Sequence, residues 1–185
     1  MVALNTWEIG LLDGIQEIFR CPFLDAVMPK ITFLGDSGWF WIALAAILLL
    51  YRPTRKIGAT MGLALVFSLL VANITLKPIV ARVRPYDVNT LIQLLVEAPL
   101  DFSFPSGHSQ ASLAAASALF CWNRKWGGAA LVLAGLIAFS RLYIYVHYPT
   151  DVLFGAVVGT LLGILAYGLV KGFLKKRAMK NGLGH

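Results

Sequence analysis

The sequence predicts an all-α, polytopic transmembrane helix bundle, and three observations lead to this fold class. Hydrophobic residues make up 58% of the 185 residues, charged residues only 14%, and the mean hydropathy is +0.75. Soluble domains contain about 45–50% apolar and about 25% charged residues. The apolar residues are also collected into long blocks, which a soluble core of this size could not bury. Lipid is therefore the expected solvent for much of the chain, and its length predicts a single domain.

Five segments are expected to cross the bilayer, which takes about 20 residues of helix per crossing. Segment 39–51 is short for a crossing, and segment 106–122 is polar enough to lie inside the bundle, away from lipid. The insert 78–105 contains four prolines and is expected to form a surface loop. The predicted spans are Trp39–Tyr51, Ile57–Leu76, Ser106–Trp122, Gly127–Tyr145 and Val152–Val170.

The residues before the first span predict a different arrangement. Trp7–Phe19 mixes large apolar residues with acidic ones, which indicates an amphipathic helix lying in the membrane interface rather than a span. The two cysteines, Cys21 and Cys121, fit no metal or redox spacing and are expected to be ordinary residues of apolar segments. The single domain 1–185 is thus divided into an interfacial N-terminal segment (1–35), a transmembrane core (39–172) and a basic cytoplasmic tail (173–185).

The cations are distributed unequally between the predicted loops. Ten of the sixteen Lys and Arg residues fall in the tail or in loops on the same side, and the positive-inside rule makes that side cytoplasmic. A net charge of +7 is also typical of nucleic-acid binding. No nucleic-acid partner is expected here, because the cations lie at the ends of apolar blocks. The six cations on the outward side are Arg20, Lys30, Lys77, Arg82, Arg84 and Arg141.

Three polar clusters lie at the outward ends of the predicted spans, at 77–85, 104–109 and 140–151. Two crossings separate each outward end from the next, so all three clusters are expected to meet on one face of the membrane. Taken singly, each polar residue has a simpler interpretation as a turn, a helix cap or a side chain reaching the headgroups. Their convergence favours a common site.

The first part of that site is suited to phosphate. Lys77, Arg84 and Arg141 supply three cations, and the two guanidinium groups match phosphate oxygens in geometry. Ser106 and Gly107 open the third helix, where free N–H groups and the helix dipole favour an anion. These five residues are therefore the predicted phosphate-binding set.

The second part is suited to phosphoryl transfer. His108 and His147 would face the bound phosphate, so that one can attack phosphorus while the other protonates the departing oxygen. Asp151 follows His147 by four residues and can accept the other ring N–H. We expect no metal and no other cofactor.

These residues resemble the three-part signature of the type 2 phosphatidic acid phosphatase (PAP2) superfamily in order and spacing. The resemblance covers about residues 31–170, and the combined signature is far more specific than any one part. The matching motifs are Lys77-x6-Arg84-Pro85, Pro105-Ser106-Gly107-His108 and Ser140-Arg141-x5-His147-x3-Asp151.

The resemblance implies a bundle that normally has six helices and a phosphohistidine mechanism. It implies that His147 is the nucleophile, Asp151 its orienting partner, and His108 the general acid and later the base. It also implies that Lys77, Arg84, Ser106, Gly107 and Arg141 hold the phosphate.

The expected activity is metal-independent hydrolysis of a lipid phosphomonoester or diphosphate. The expected location is a bacterial plasma membrane, with the site on the extracytoplasmic side. Undecaprenyl diphosphate is the favoured substrate, and phosphatidylglycerophosphate or phosphatidic acid is the alternative. A soluble vanadate-dependent haloperoxidase has a similar pocket, but the apolar crossings argue against it. A non-catalytic lipid transporter or scaffold would be expected to lack one of the two histidines.

Overall fold

The structure, a computed structural model, describes residues 2–180 and residue 182. All the regular elements among these residues are helical, which confirms the predicted all-α class. Met1 and, in the predicted basic tail, residues 181 and 183–185 lie outside the described part. The α-helices are α1 (Val2–Phe19), α2 (Pro22–Phe33), α3 (Trp39–Leu50), α4 (Arg55–Ser68), α5 (Lys77–Val80), α6 (Pro85–Val88), α7 (Gly107–Trp122), α8 (Arg124–Tyr143) and α9 (Pro149–Lys180).

Helix α7 lies at the centre of the bundle, packed against α4, α8 and α9. Four of its five alanines are buried, as are its polar residues Ser109, Gln110, Ser112 and Ser117, and two of these polar residues bond to neighbouring segments. Trp41 Nε1 donates to Ser112 Oγ at 2.9 Å, and Gln110 Nε2 donates to the Ser68 carbonyl at 3.2 Å. The predicted position of this segment inside the bundle is therefore confirmed.

Helices α7 and α9 approach each other closely because α9 carries glycines at four-residue intervals, Gly155, Gly159 and Gly163. A Cβ atom at Gly159 would lie 2.2 Å from the carbonyl oxygen of Gln110, which leaves no room for any side chain. Small residues at this spacing allow helix backbones to touch inside a membrane. The contact places the N-terminus of α7, which carries His108, beside the N-terminus of α9, which begins at Pro149.

Within the described part of the chain, three helical segments are long and apolar enough to cross a membrane: 52–88, α8 and α9. Helices α2 and α3 also qualify when they are taken together as one pair, bent by 44°. Length and composition thus support three spans, or four with the bent pair, where the sequence predicted five. The short segment 39–51 is extended through α2, and α7, with 16 residues, is shorter than a full crossing.

A π-helical stretch, Leu69–Leu76, joins α4 to α5 without a break. It carries the chain from the apolar part of the second predicted span to Lys77, the first cation of the candidate site. The backbone then turns at Ala81, whose φ of +46° lies in the left-handed region. After this turn, Arg82 contacts Glu8 and Asp151, and Arg84 contacts Asp101 and the Val146 carbonyl.

Helix α1 turns Glu8, Leu12 and Asp13 toward the protein and several of its large apolar residues outward. Asp13 Oδ1 accepts from the Tyr145 hydroxyl at 2.7 Å, and Glu8 is only 1% exposed. An outward apolar face suits a lipid environment, and the interfacial position of segment 1–35 stays a prediction. The exposed apolar residues are Trp7, Leu11, Ile18 and Phe19.

Candidate active site

The three predicted clusters meet around one large cavity, of about 1070 Å³, at one end of the bundle, which we call the site end. Six of the eight predicted site residues line this cavity, whereas Ser106 and Asp151 are fully buried. The convergence inferred from the order of the spans is therefore present. The six lining residues are Lys77, Arg84, Gly107, His108, Arg141 and His147.

His147 lies in the short connection between α8 and α9 and is only 1% exposed. Its Nε2 atom is 3.4 Å from Arg84 Nη1, and its Nδ1 atom is 3.6 Å from Asp151 Oδ2. Burial lowers the pKa of His147 well below its ordinary value, and the charges of Arg141 and Arg84 lower it further. The imidazole is therefore neutral at neutral pH, the state in which a ring nitrogen can act as a nucleophile.

The carboxylate of Asp151 is held by several donors besides the histidine. Its Oδ2 atom accepts from Ser103 Oγ at 2.5 Å and from the Tyr148 backbone N–H at 3.0 Å. The distance to His147 Nδ1 is longer than a hydrogen bond, and Ser103 Oγ also lies 3.5 Å from that nitrogen. The predicted pairing of Asp151 with His147 is thus a close approach shared with a serine that the sequence analysis did not single out.

His108, which lies in the first turn of α7, has a carboxylate partner of its own. Asp36 Oδ1 lies 2.7 Å from His108 Nε2, and Arg141 Nη1 lies 3.3 Å from the same nitrogen. Asp36 belongs to the turn between α2 and α3. A Cβ atom at Gly35 would lie 2.6 Å from His108 Cδ2, so the turn packs directly against the imidazole edge.

Lys77 and Arg84 share one carboxylate, that of Asp101 in the loop before α7. Asp101 forms an ion pair with Lys77, and its Oδ1 atom accepts from Arg84 Nη2 at 2.5 Å. Partial burial raises the pKa of Asp101, but the hydrogen bond and charge of Lys77, together with Arg84, outweigh this and lower it to about 2. A carboxylate therefore bridges two of the cations that were predicted to bind phosphate.

Arg141 is 3% exposed, and its Nη1 atom donates to Thr32 Oγ1 at 2.7 Å. Its Nε atom has no hydrogen-bond partner among the residues that the structure describes. A buried guanidinium with an unused donor, at the wall of a cavity, is suited to receive an anion.

The start of α7 differs in part from the prediction for Ser106 and Gly107. Ser106 is the N-cap residue, its hydroxyl lies 2.9 Å from Ser109 Oγ, and its backbone N–H donates to the Asp151 carbonyl at 3.1 Å. Gly107 lies at the cavity wall, where a Cβ atom would be 3.9 Å from Lys77 Nζ. The structure therefore brings Gly107 to the cavity and uses Ser106 to join α7 to α9.

Several residues of the site were not identified from the sequence. Ser103 and Arg82 lie within or next to the motifs, so their proximity was a usable signal. An acidic residue within a largely apolar helix, such as Glu8, is also a signal, because burying a charge requires a partner. Asp36 and Asp101 lie in a turn and a loop, and nothing in their local sequence distinguishes them.

The fold and the cavity define the class: a helical membrane protein with histidines and buried cations around one large cavity. A family model, the PAP2 superfamily, matches residues 57–175. The chain belongs to the PAP2 superfamily.

Known proteins of this family are similar along most of the chain. An undecaprenyl-diphosphatase of Sulfolobus acidocaldarius is 32% identical over 162 residues, covering 86% of this chain and 78% of that protein. Phosphatidylglycerophosphatase B of Bacillus subtilis is 36% identical over 173 residues, covering 86% and 79%. The crystal structure of a PAP2 type phosphatidylglycerolphosphate phosphatase from Bacillus subtilis matches with a TM-score of 0.76 and 31% identity, covering 95% of this chain and 88% of that one.

Proposed function

We propose that this chain is a membrane lipid phosphatase, which hydrolyses a lipid phosphomonoester or diphosphate through a phosphohistidine intermediate. The observation that carries the proposal is the pair of histidines beside three cations in one cavity. Arg141 and its unused Nε donor are the clearest part of it. The names of the similar proteins support the same class of reaction.

In the first step, the lone pair of His147 Nε2 forms a bond to phosphorus. The bond from phosphorus to the leaving oxygen breaks, and that oxygen takes a proton from His108. Ser103 and Asp151 lie on the Nδ1 side of His147, so they can hold the ring while Nε2 faces the cavity. The lipid alcohol, or the lipid monophosphate from a diphosphate, is the first product.

In the second step, a water molecule attacks the phosphohistidine. His108 now accepts the proton of that water, the bond between nitrogen and phosphorus breaks, and inorganic phosphate is released. Lys77, Arg84 and Arg141 stabilise the charge on the equatorial oxygens in both steps. These cations supply the positive charge that a metal ion would otherwise bring, so the reaction needs no metal.

This metal independence has a direct test. Activity should survive EDTA and should be blocked by orthovanadate, which mimics five-coordinate phosphorus. If EDTA inactivated the enzyme and magnesium restored its activity, the proposed metal independence would be refuted.

The shape of the cavity supports a lipid substrate. Besides its polar residues, the cavity has an apolar wall of side chains from α2, α3, α4 and the π-helical stretch, most of which are also exposed at the surface of the bundle. A phosphate could bind at the cations while its lipid tail lies along this wall. The apolar residues that line it are Phe33, Ile42, Leu65, Val66 and Leu69.

Undecaprenyl diphosphate is the favoured substrate, because several similar proteins bear that activity in their names. Phosphatidylglycerophosphate or phosphatidic acid is the second candidate, supported by phosphatidylglycerophosphatase B and by the structural match. The test is phosphate release from undecaprenyl diphosphate, phosphatidylglycerophosphate, phosphatidate and lipid A in matched micelles, with His147→Ala as the blank. A higher kcat/KM for undecaprenyl diphosphate supports the first candidate, and a higher value for phosphatidylglycerophosphate replaces it with the second.

We also place the protein in the cell membrane, with the site end on the extracytoplasmic side. Ten of the sixteen Lys and Arg residues lie in the predicted cytoplasmic loops and tail. Of the six others, three are assigned to phosphate, and Arg82 pairs with Glu8 and Asp151. Only Arg20 and Lys30 then oppose the ten as topological signals, so the imbalance strongly favours this orientation.

A further inference from the structure

Two buried carboxylates, Glu8 and Asp151, are joined by the partly buried Arg82 beside His147, and Glu8 and Arg82 have no part in the mechanism above. Arg82 Nη1 donates to Asp151 Oδ1 at 2.6 Å, and Arg82 Nη2 forms an ion pair with Glu8. Glu8 belongs to α1, so a helix far away in the sequence reaches the catalytic carboxylate through one arginine.

The contacts of Glu8 also extend to the start of α9. Its Oε1 atom accepts from the Thr150 backbone N–H at 3.0 Å and from Thr150 Oγ1 at 2.5 Å. Arg82 Nη1 donates to the same hydroxyl at 2.8 Å, and the guanidinium lies over the Tyr148 ring at 3.8 Å from its centroid. Two residues shortly before Asp151, Tyr148 and Thr150, are therefore in contact with Arg82 or Glu8.

Burying the two carboxylates of this arrangement costs free energy. Glu8 is 1% exposed and Asp151 is fully buried, so each carboxylate needs a cation or several donors to remain ionised. Arg82 lies between them and serves both. Without it, two buried carboxylates would face each other across Thr150 with no charge to offset them.

Arg82 differs from the cations assigned to phosphate. Lys77, Arg84 and Arg141 line the cavity, whereas Arg82 is not among the described residues that do. Its two terminal nitrogens are directed at Asp151, Thr150 and Glu8. It binds Oδ1 of Asp151, which leaves Oδ2 to Ser103, the Tyr148 N–H and the approach to His147.

We propose that Glu8 and Arg82 are positioning residues for the nucleophile: Arg82 orients the Asp151 carboxylate toward His147, and Glu8 holds Arg82 in place. The inference rests on the proposed phosphatase function. This proposal makes α1 part of the active site, although α1 lies outside residues 57–175, the range that the family model matches.

The test is a double-mutant cycle between Arg82→Gln and Asp151→Asn in the full-length protein in detergent. Arg82→Gln alone should lower kcat by about 10- to 100-fold, the range seen for outer-shell partners of ligating histidines. KM and the Kd for orthovanadate should stay within about twofold, because Arg82 does not bind phosphate. In the Asp151→Asn background, the same change should cost less than about twofold, because it acts through that carboxylate.

Arg20→Gln is the matched control, since Arg20 is an exposed arginine at the same end, paired with Gln16 at 3.1 Å. It should leave kcat unchanged. If Arg82→Gln does not fold, the cycle is repeated with Glu8→Gln, which removes the charge but keeps an acceptor for Thr150. Glu8→Gln alone should lower kcat by about 10-fold, with the same non-additivity toward Asp151→Asn.

Additive effects of the two changes would overturn the proposal, and so would a higher KM or weaker vanadate binding with unchanged kcat. The wild-type protein is assayed in parallel. Absence of phosphate release by the wild type removes the proposed function and this inference with it. An active wild type without coupling between position 82 and position 151 removes only the inference.

Discussion

At the site end of the bundle, Arg84 and Arg141 are 3% exposed and lie against a carboxylate and two histidines. At the opposite end, Lys56 and Lys171 are exposed and lie over aromatic rings, at 4.6 Å and 5.2 Å from the ring centroids of Trp122 and Tyr167. Both ends are rich in cations, but the buried cations of the described residues lie at the site end.

The difference between the two ends has a physical cause. An exposed Lys or Arg at a helix end keeps its charge in water or among headgroups and rests its apolar stem on the protein, at little cost. A buried guanidinium must be offset by anions or acceptors, and the Nε atom of Arg141 has no hydrogen-bond partner among the described residues. Charge count alone therefore does not locate the site, whereas burial and partners do.

The largest effect should come from the histidines at the site end. His147→Ala should abolish turnover and any trapped phosphoenzyme. His108→Ala should still be phosphorylated slowly by p-nitrophenyl phosphate, whose leaving group needs little protonation. The measurement is base-stable, acid-labile protein-bound phosphate after rapid quenching, as expected for a phosphohistidine. Equal and complete loss of phosphoenzyme in both variants, with folding intact, would reverse our assignment of their roles.

The next prediction separates the two ends by membrane side. Thr90, in the loop after α6, and Lys125, in the first turn of α8, are exposed residues at opposite ends of the bundle. They are chosen in place of the nearby Asn89 and Asn123, whose side chains are hydrogen-bonded. In a background without Cys21 and Cys121, Thr90→Cys should react with an impermeant thiol reagent on intact cells. Lys125→Cys should react only after the membrane is opened.

Labelling of position 125 alone on intact cells would invert the orientation. The site would then face the cytoplasm, and the argument for an extracytoplasmic carrier-lipid substrate would be removed. The other predictions would be unaffected, because they concern the site and not its side.

A third prediction compares one arginine from each end. Arg141→Gln should lower kcat/KM by about 100- to 1,000-fold, as loss of a donor to transition-state charge does in other enzymes. Arg124 at the opposite end lies over the Phe120 ring at 4.4 Å, and Arg124→Gln should change kcat/KM by less than about twofold. Similar losses of kcat/KM in Arg141→Gln and Arg124→Gln would contradict this prediction, because a cation at either end would then contribute equally to activity.

The smallest effect concerns Asp101, whose carboxylate competes with phosphate for Lys77 and Arg84. Asp101→Asn should lower KM by up to about fivefold with kcat unchanged, because a half-exposed ion pair contributes about 0.2–1 kcal/mol. Asp87→Asn, at an exposed carboxylate on α6, is the control. A higher KM for Asp101→Asn would mean that Asp101 positions the cations instead of competing for them.

Mildly acidic pH should not reproduce the effect of Asp101→Asn on KM. The pKa of Asp101 is lowered from 3.8 to about 2, so the ion pairs are complete above pH 3.8 and are lost only as the pH falls through about 2. Wild-type KM should therefore not fall toward the Asp101→Asn value between pH 7 and about pH 5 through this group.

The sequence alone was enough for the fold class and for most of the cavity. Apolar block length and composition are local properties, so the all-α bundle follows directly from them. The order of the blocks sets which polar clusters share an end, and this brought Lys77, Arg84, His108, Arg141 and His147 together. The exact spans were less predictable, because α2 and α3 join across a bend and α7 is sheltered by its neighbours.

Only the tertiary structure decided which charges pair. Glu8 meets Arg82 and Thr150 across more than seventy residues of chain, because α1 packs against α8 and α9 with its polar face inward. Asp36 reaches His108 in the same way, through a turn whose Gly35 leaves no space for a side chain. Hydropathy is read along the chain, whereas a buried ion pair depends on which helix faces meet, and that is set by packing between distant segments.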